Sequence, residues 1–197
     1  MEKLPKKYIS VDIESNGPYP WNSSLLSLGA CIVGDPRNNF YAELKPIREE
    51  YSFEHFKIGG SSLDCLASWR GEFNPKKALE LLEKKGEDPK IAMPRFANWV
   101  IEQTKGHRPI LTASPIVFDG PFVNYYLDKF YEGENPFGHS GEDINSMFRG
   151  KVGNKNGSIK DLALRGERGL GHHALADAIQ QAREFFTILV YMGQEKD

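Results

Sequence analysis

Lys7-Tyr-Ile-Ser-Val-Asp-Ile-Glu14 is the stretch on which the fold turns. Ile9, Val11 and Ile13 alternate with Tyr8, Ser10, Asp12 and Glu14, so one face is apolar and the other becomes acidic at its end. That period of two predicts a strand laid on a core. Residues two apart on a strand share a side and lie roughly 6–7 Å apart, so Asp12 and Glu14 can reach one cation cluster. The pattern also suits a solvated strand end, because 27 of the 197 residues are acidic and an Asp-x-Glu arises by chance at that density. The Ser-Asn-Gly-Pro turn that follows favours a strand stopping where its carboxylates begin.

Two more segments carry acids in a suggestive setting. Gly171-His172-His173-Ala-Leu-Ala-Asp177 ends a glycine-rich loop and opens an amphipathic helix to about Met192, with Leu175, Ile179, Phe186 and Leu189 as its apolar positions. Asp177 falls in the second turn of that helix, and Ala174 and Ala178 are small enough for it to approach the strand of Asp12. Alternatively the histidines merely begin a helix and Asp177 complements its positive end. Pro109-Ile-Leu-Thr-Ala113 suits a buried strand, and Phe118-Asp-Gly-Pro-Phe122 opens a helical pattern of Phe122, Tyr125, Tyr126 and Phe130. Asp119 is there either an ordinary N-cap or a carboxylate at a strand-to-helix crossing, where active sites of α/β sheets collect.

The coarse order is strand, strand, strand, helical region, strand, helix, loop, helix. Gly34-Asp-Pro-Arg-Asn-Asn39 is expected to turn the second strand into the third, making an antiparallel three-stranded meander. The later strand-helix crossings favour parallel additions, hence an α/β fold with a mixed sheet flanked by helices. Asn74 to Gly86 reads as a short helix stopped by glycine, and Glu87-Asp-Pro-Lys90 as a turn.

Composition narrows the class. With 40% hydrophobic and 26% charged residues, the chain can bury one core. No apolar stretch approaches the roughly 18 residues of a membrane span, and Met1-Glu-Lys-Leu-Pro-Lys-Lys has no hydrophobic run to serve as a signal peptide, so a cytoplasmic protein is expected. Cys31 and Cys65 lack the spacing of a zinc site and read as idle thiols. The formal net charge of −2 hides a basic run: Arg149, Lys151, Lys155, Lys160, Arg165 and Arg168 face only Asp161 and Glu167. Placed just before His172, these cations suit a phosphate backbone, although a solvated loop would look the same. Tyr19 and Trp21, in a turn-rich stretch after the first acids, suit stacking on an unpaired base or sealing a core edge. Phe118 and Phe122 read as core.

Taken in order, Asp12-x-Glu14, Phe118-Asp119 and His172-x-Ala174-x-x-Asp177 resemble the DEDDh 3′–5′ exonucleases, the group of ribonuclease T, oligoribonuclease and polymerase proofreading subunits. The resemblance spans nearly the whole chain. Leu25 to Val33 looks like the family's second strand, Phe40 to Leu44 like its third, and Pro94 to Val100 like the helix leading to the strand before Asp119. Where many relatives carry a His-Asn or Asn before the third acid, Ser114-Pro115 stands here. The segment from about Phe53 to Met93 matches less well.

The resemblance implies a ribonuclease H-like fold and one exonuclease domain over residues 1–197. It implies a metal-dependent hydrolysis that releases nucleoside 5′-monophosphates from the 3′ end of single-stranded nucleic acid or a 3′ overhang, RNA or DNA. Two divalent ions, Mg²⁺ or Mn²⁺, would be held by Asp12, Glu14, Asp119 and Asp177, about 3.5–4 Å apart, and His172 would take the proton from the attacking water. Ser15, Tyr19, Trp21, Lys151, Lys155 and Arg165 are the expected substrate contacts. Dimers occur in the family, so a homodimer is an open expectation. Two other readings stand beside this one: a metal-dependent phosphohydrolase of nucleotides or small phosphoesters, and a nucleic-acid-binding module whose catalysis has decayed.

Overall fold

The computed structural model describes residues 4–67, 71–162 and 172–190. Its sheet has the order β3-β2-β1-β4-β5, with β1 at Lys6–Ser15, β2 at Leu25–Ile32, β3 at Asp35–Glu43, β4 at Arg108–Ala113 and β5 at Gly141–Asp143. The first three strands form the antiparallel meander, and β4 and β5 are parallel additions. This is the expected ribonuclease H-like arrangement, with β1 in the middle.

A central strand must satisfy both faces. Ile9, Val11 and Ile13 enter a core with α3 (Pro89–Gln103) and α4 (Ile116–Phe130), through Met93, Phe96, Val100, Phe122 and Tyr126. The opposite face, with Tyr8, Ser10, Asp12 and Glu14, lies under α6 (Ala174–Val190), where Tyr8 meets Phe185 edge to face at 5.0 Å. Phe185 and Ile188 continue into a second apolar cluster with Ile144 and Phe148 of α5 (Ile144–Val152). The acidic end of β1 is therefore not a solvated strand end: Glu14 is only 6% exposed.

Several sequence expectations shift. The turn between β2 and β3 is confined to Val33-Gly34, with Gly34 at φ +90°, and β3 starts at Asp35. Pro36 is tolerated inside β3 because that strand is an edge and its missing N–H interrupts no ladder. Glu87 to Lys90 is not a free turn: Asp88 caps α3 by accepting from the Lys90 N–H at 2.9 Å, and Pro89 occupies the first helical position. The helix thus starts before Pro94, which sits inside it. The less recognisable segment holds α1 (Phe53–Gly60) and α2 (Pro75–Lys85). Gly86 ends α2 as expected, for want of space: a Cβ there would lie 2.5 Å from the Leu82 carbonyl oxygen.

The apolar face of α6 is also displaced. Ala174, Ala178, Ala182, Phe185 and Ile188 are buried, whereas Leu175 and Ile179 are half-buried and Phe186 is exposed. Gly29 supplies the reason. It pairs with Asp12 across the β1–β2 ladder, and a Cβ on it would sit 2.3 Å from backbone atoms of Ala174 and Leu175. The start of α6 rests directly on the sheet, so the face that meets it must be small.

Candidate active site

Each acid reaches the site by a different local device. Asp12 and Glu14 project from β1 on the face under α6. Beside them the β1–β4 ladder ends at Ser10 and Thr112, and the Ile13 N–H donates to Asp119 Oδ1 at 3.0 Å. Asp119 thus ties the first turn of α4 to β1, and at 2% exposure it is not the N-cap, a position held by Pro115. Gly59 of α1 closes the other side, where a Cβ would lie 2.8 Å from Glu14 Oε2. Asp177 lies in the first turn of α6, since that helix begins only at Ala174, and its Oδ2 accepts from the His172 N–H at 3.1 Å.

The adjacent histidines part company. His172 has φ +68°, the left-handed region, and lines the same cavity as the acids. His173 turns the other way, stacking on Tyr41 at 4.9 Å with Nε2 3.5 Å from Asp64.

A cleft of about 570 Å³ gathers Asp12, Glu14, Asp119, Asp177 and His172, with Ser15, His55, Phe118, Asn145, Lys160, Gln180, Gln181 and Glu184 also on its walls. Burial first, then the neighbouring charges of Asp119, Glu14 and Asp177, push Asp12 well above the ordinary carboxylate range. Burial and the charges of Asp177 and Asp119 raise Glu14 to about 9. Burial raises Asp119 to about 7 against the opposing pull of the Ile13 N–H. Among the described residues, ion pairs form elsewhere and not on these four acids. Carboxylates crowded together without cationic partners among the described residues suit a hard cation. Glu14, His172 and Asp177 each offer an atom within 4.8 Å of the others.

The proposed substrate contacts are scattered. Ser15 lines the cleft, although its hydroxyl donates to the Gly17 carbonyl at 2.7 Å. Tyr19 and Trp21 stack on each other at 4.9 Å, 50% and 61% exposed, so neither seals a core. Trp21 borders a second cleft of about 520 Å³ with Arg48, Tyr51 and Ser52. Phe122 is core, but Phe118 is only half-buried and faces the acid cleft.

The basic run is not one loop. Lys151 lies on α5 and Lys155 in the turn after it, both exposed and away from the cleft walls; Arg165 and Arg168 lie outside the described residues. Lys160, not singled out from the sequence, is the member that lines the cleft.

Sequence reasoning also missed the polar wall of α6. Gln180, Gln181 and Glu184 are buried, and Gln181 Nε2 donates to Asp12 Oδ1 at 2.6 Å. Spacing held the signal, since Gln181 stands four residues after Asp177 and shares its helix face. Ser114 accepts from Asn145 Nδ2 at 2.9 Å, so an amide from α5 lines the cleft beside the residue that precedes Pro115.

No helix among the described residues is long and apolar enough to cross a membrane. No protein-family model matches the chain. Among curated proteins, it is 32% identical over 195 residues to Cap18, a 3′–5′ DNA exonuclease of Escherichia coli, a match spanning 96% of this chain and 94% of that one. Among solved structures it superposes on E. coli ExoI in a complex with single-stranded DNA, with a TM-score of 0.63 at 15% identity over 96% of this chain and 42% of the other. The chain thus spans less than half of ExoI. It also superposes on the nuclease domain of 3′hExo, a DEDDh family member bound to rAMP, with a TM-score of 0.63 at 13% identity over 96% and 94% of the two chains. The structural matches speak for the fold and the sequence match for kinship, and together they show that the chain belongs to the DEDDh family of 3′–5′ exonucleases.

Proposed function

We propose that residues 1–197 act as one exonuclease domain that removes nucleoside 5′-monophosphates from the 3′ end of single-stranded DNA, using two divalent cations, Mg²⁺ or Mn²⁺. The observation that carries this reading is the single cleft in which Asp12, Glu14, Asp119, Asp177 and His172 meet. The choice of DNA follows the curated relative, which is a DNA exonuclease.

Asp12, Glu14 and Asp177 would hold one cation, and Asp119 together with Asp12 the other. Bound there, divalent cations make water a better nucleophile and neutralise charge on the departing 3′ oxygen. His172 is the general base, its imidazole placed at the cleft by the left-handed turn before α6. Lys160 supplies a positive charge to the scissile phosphate from the wall of the cleft. Tyr19 and Trp21 stack bases further along the strand.

The test incubates 5′-labelled single-stranded DNA, single-stranded RNA and duplex with Mg²⁺ or Mn²⁺. A ladder shortening from the 3′ end of single-stranded DNA is expected, and Asp12→Asn should abolish it while the melting temperature is retained. Intact oligomers beside rapid hydrolysis of small phosphodiesters would transfer the site to the small-phosphoester reading.

A further inference from the structure

The Gln181 side chain lines the cleft, is unused by the proposed mechanism, and touches Asp12 directly. It is 8% exposed and lines the acid cleft. Its amide nitrogen donates to Asp12 Oδ1 at 2.6 Å, while its carbonyl oxygen is buried without a hydrogen-bond partner. With its NH₂ donating to Asp12, the amide leaves Oε1 as its free acceptor. A buried acceptor left unmatched is unfavourable unless a ligand satisfies it.

An amide carbonyl is a hard, neutral oxygen donor of the kind that joins carboxylates around Mg²⁺ and Mn²⁺. Gln181 also sits one turn after Asp177 on the same face of α6, so both side chains point to the same region. We infer that Gln181 is a further oxygen ligand of the cation site, held in place by its own hydrogen bond to Asp12. The inference rests on the metal-dependent reading above. It adds a neutral ligand to an anionic set, without the repulsion that a fifth carboxylate would bring.

The test titrates Mn²⁺ into the full chain without substrate and reads unbound Mn²⁺ from its electron paramagnetic resonance signal. Gln181→Met keeps the length and removes both hydrogen-bonding atoms, whereas Gln181→Glu keeps acceptor oxygens and removes the N–H. Gln181→Met should weaken Mn²⁺ binding by about 10- to 100-fold, and Gln181→Glu should bind at least as tightly as the unaltered protein. Metal-free melts check folding; should the Met variant not fold, Gln181→Asn, one methylene too short to reach, replaces it. Unchanged affinity in Gln181→Met overturns the inference. Equal weakening in the Met and Glu variants overturns it too, because only the donor to Asp12 would then matter. Gln180→Glu adds the same charge to the same cleft, and a tightening there equal to that of Gln181→Glu would assign the effect to charge alone and overturn the ligand. If the unaltered protein binds no Mn²⁺, the metal-dependent reading falls first and the inference with it.

Discussion

The two clefts lie close along the chain and are built from opposite materials. One holds carboxylates on β1, α4 and α6, with Asp12 and Glu14 of β1 raised by burial and by the neighbouring acids. The other borders an exposed turn, where Trp21 stacks on Tyr19 beside Arg48 and Tyr51. The first is unfavourable until something neutralises it, and regular elements must hold it together. The second presents apolar faces to water at little electrostatic cost. On the proposed function, chemistry sits where regular elements hold crowded carboxylates together, and recognition sits on an exposed turn.

The sharpest break in that contrast is between adjacent histidines. His172→Ala should lower kcat by about 10²–10⁴-fold, the usual worth of a general base, with Mn²⁺ still bound in the titration described above. His173→Ala removes a side chain stacked on Tyr41 outside the cleft and should lose far less. A crippled His173→Ala beside an active His172→Ala would move the general base by one residue.

A smaller effect separates the clefts by pH. Asp119 and Glu14 titrate in the fold near 7 and 9, above the carboxylate values of an unfolded chain, so the fold favours their protonated forms. Their contribution to stability is complete below the unfolded values and is lost as pH rises through about 7 and then about 9. The metal-free melting temperature should fall between pH 5 and 9.5 by roughly 4 °C or more, what ~1–2 kcal/mol produces at this size. Mg²⁺ should restore most of the loss at the alkaline end, because cation binding displaces those protons. A melting temperature flat across the range without metal would contradict the raised carboxylates.

The smallest effect belongs to the exposed turn. Trp21→Ala should raise KM for single-stranded DNA about fivefold or more, since base stacking on an aromatic face is worth ~1–3 kcal/mol, and leave kcat nearly unchanged. An unaltered KM, measured with oligomers of several lengths, would return Tyr19 and Trp21 to plain surface.

Local pattern and global packing divided the work unevenly. β1 was legible because its alternation is local, and so was the acid set, because its order along the chain survives folding. The α6 face was misplaced because hydrophobicity nominated Leu175, Ile179 and Phe186, while the close seat on Gly29 required the alanines instead. Lys160 could be counted in the basic run but not distinguished from Lys151 and Lys155, since only the turn after α5 brings it to the cleft.

The sequence by itself determined the strand period of residues 7–14, the parallel and antiparallel logic of the sheet, and the residue types that suit cation chemistry. Each follows from neighbours within a few positions. Only the tertiary structure decided that Asp12 and Glu14 are enclosed, that His172 enters the cleft while His173 leaves it, and that Gln181 meets Asp12 across 169 positions of chain. Those outcomes depend on which elements pack against which, and the contact of β2 with α6 at a glycine is not encoded near any of the residues whose positions it fixes.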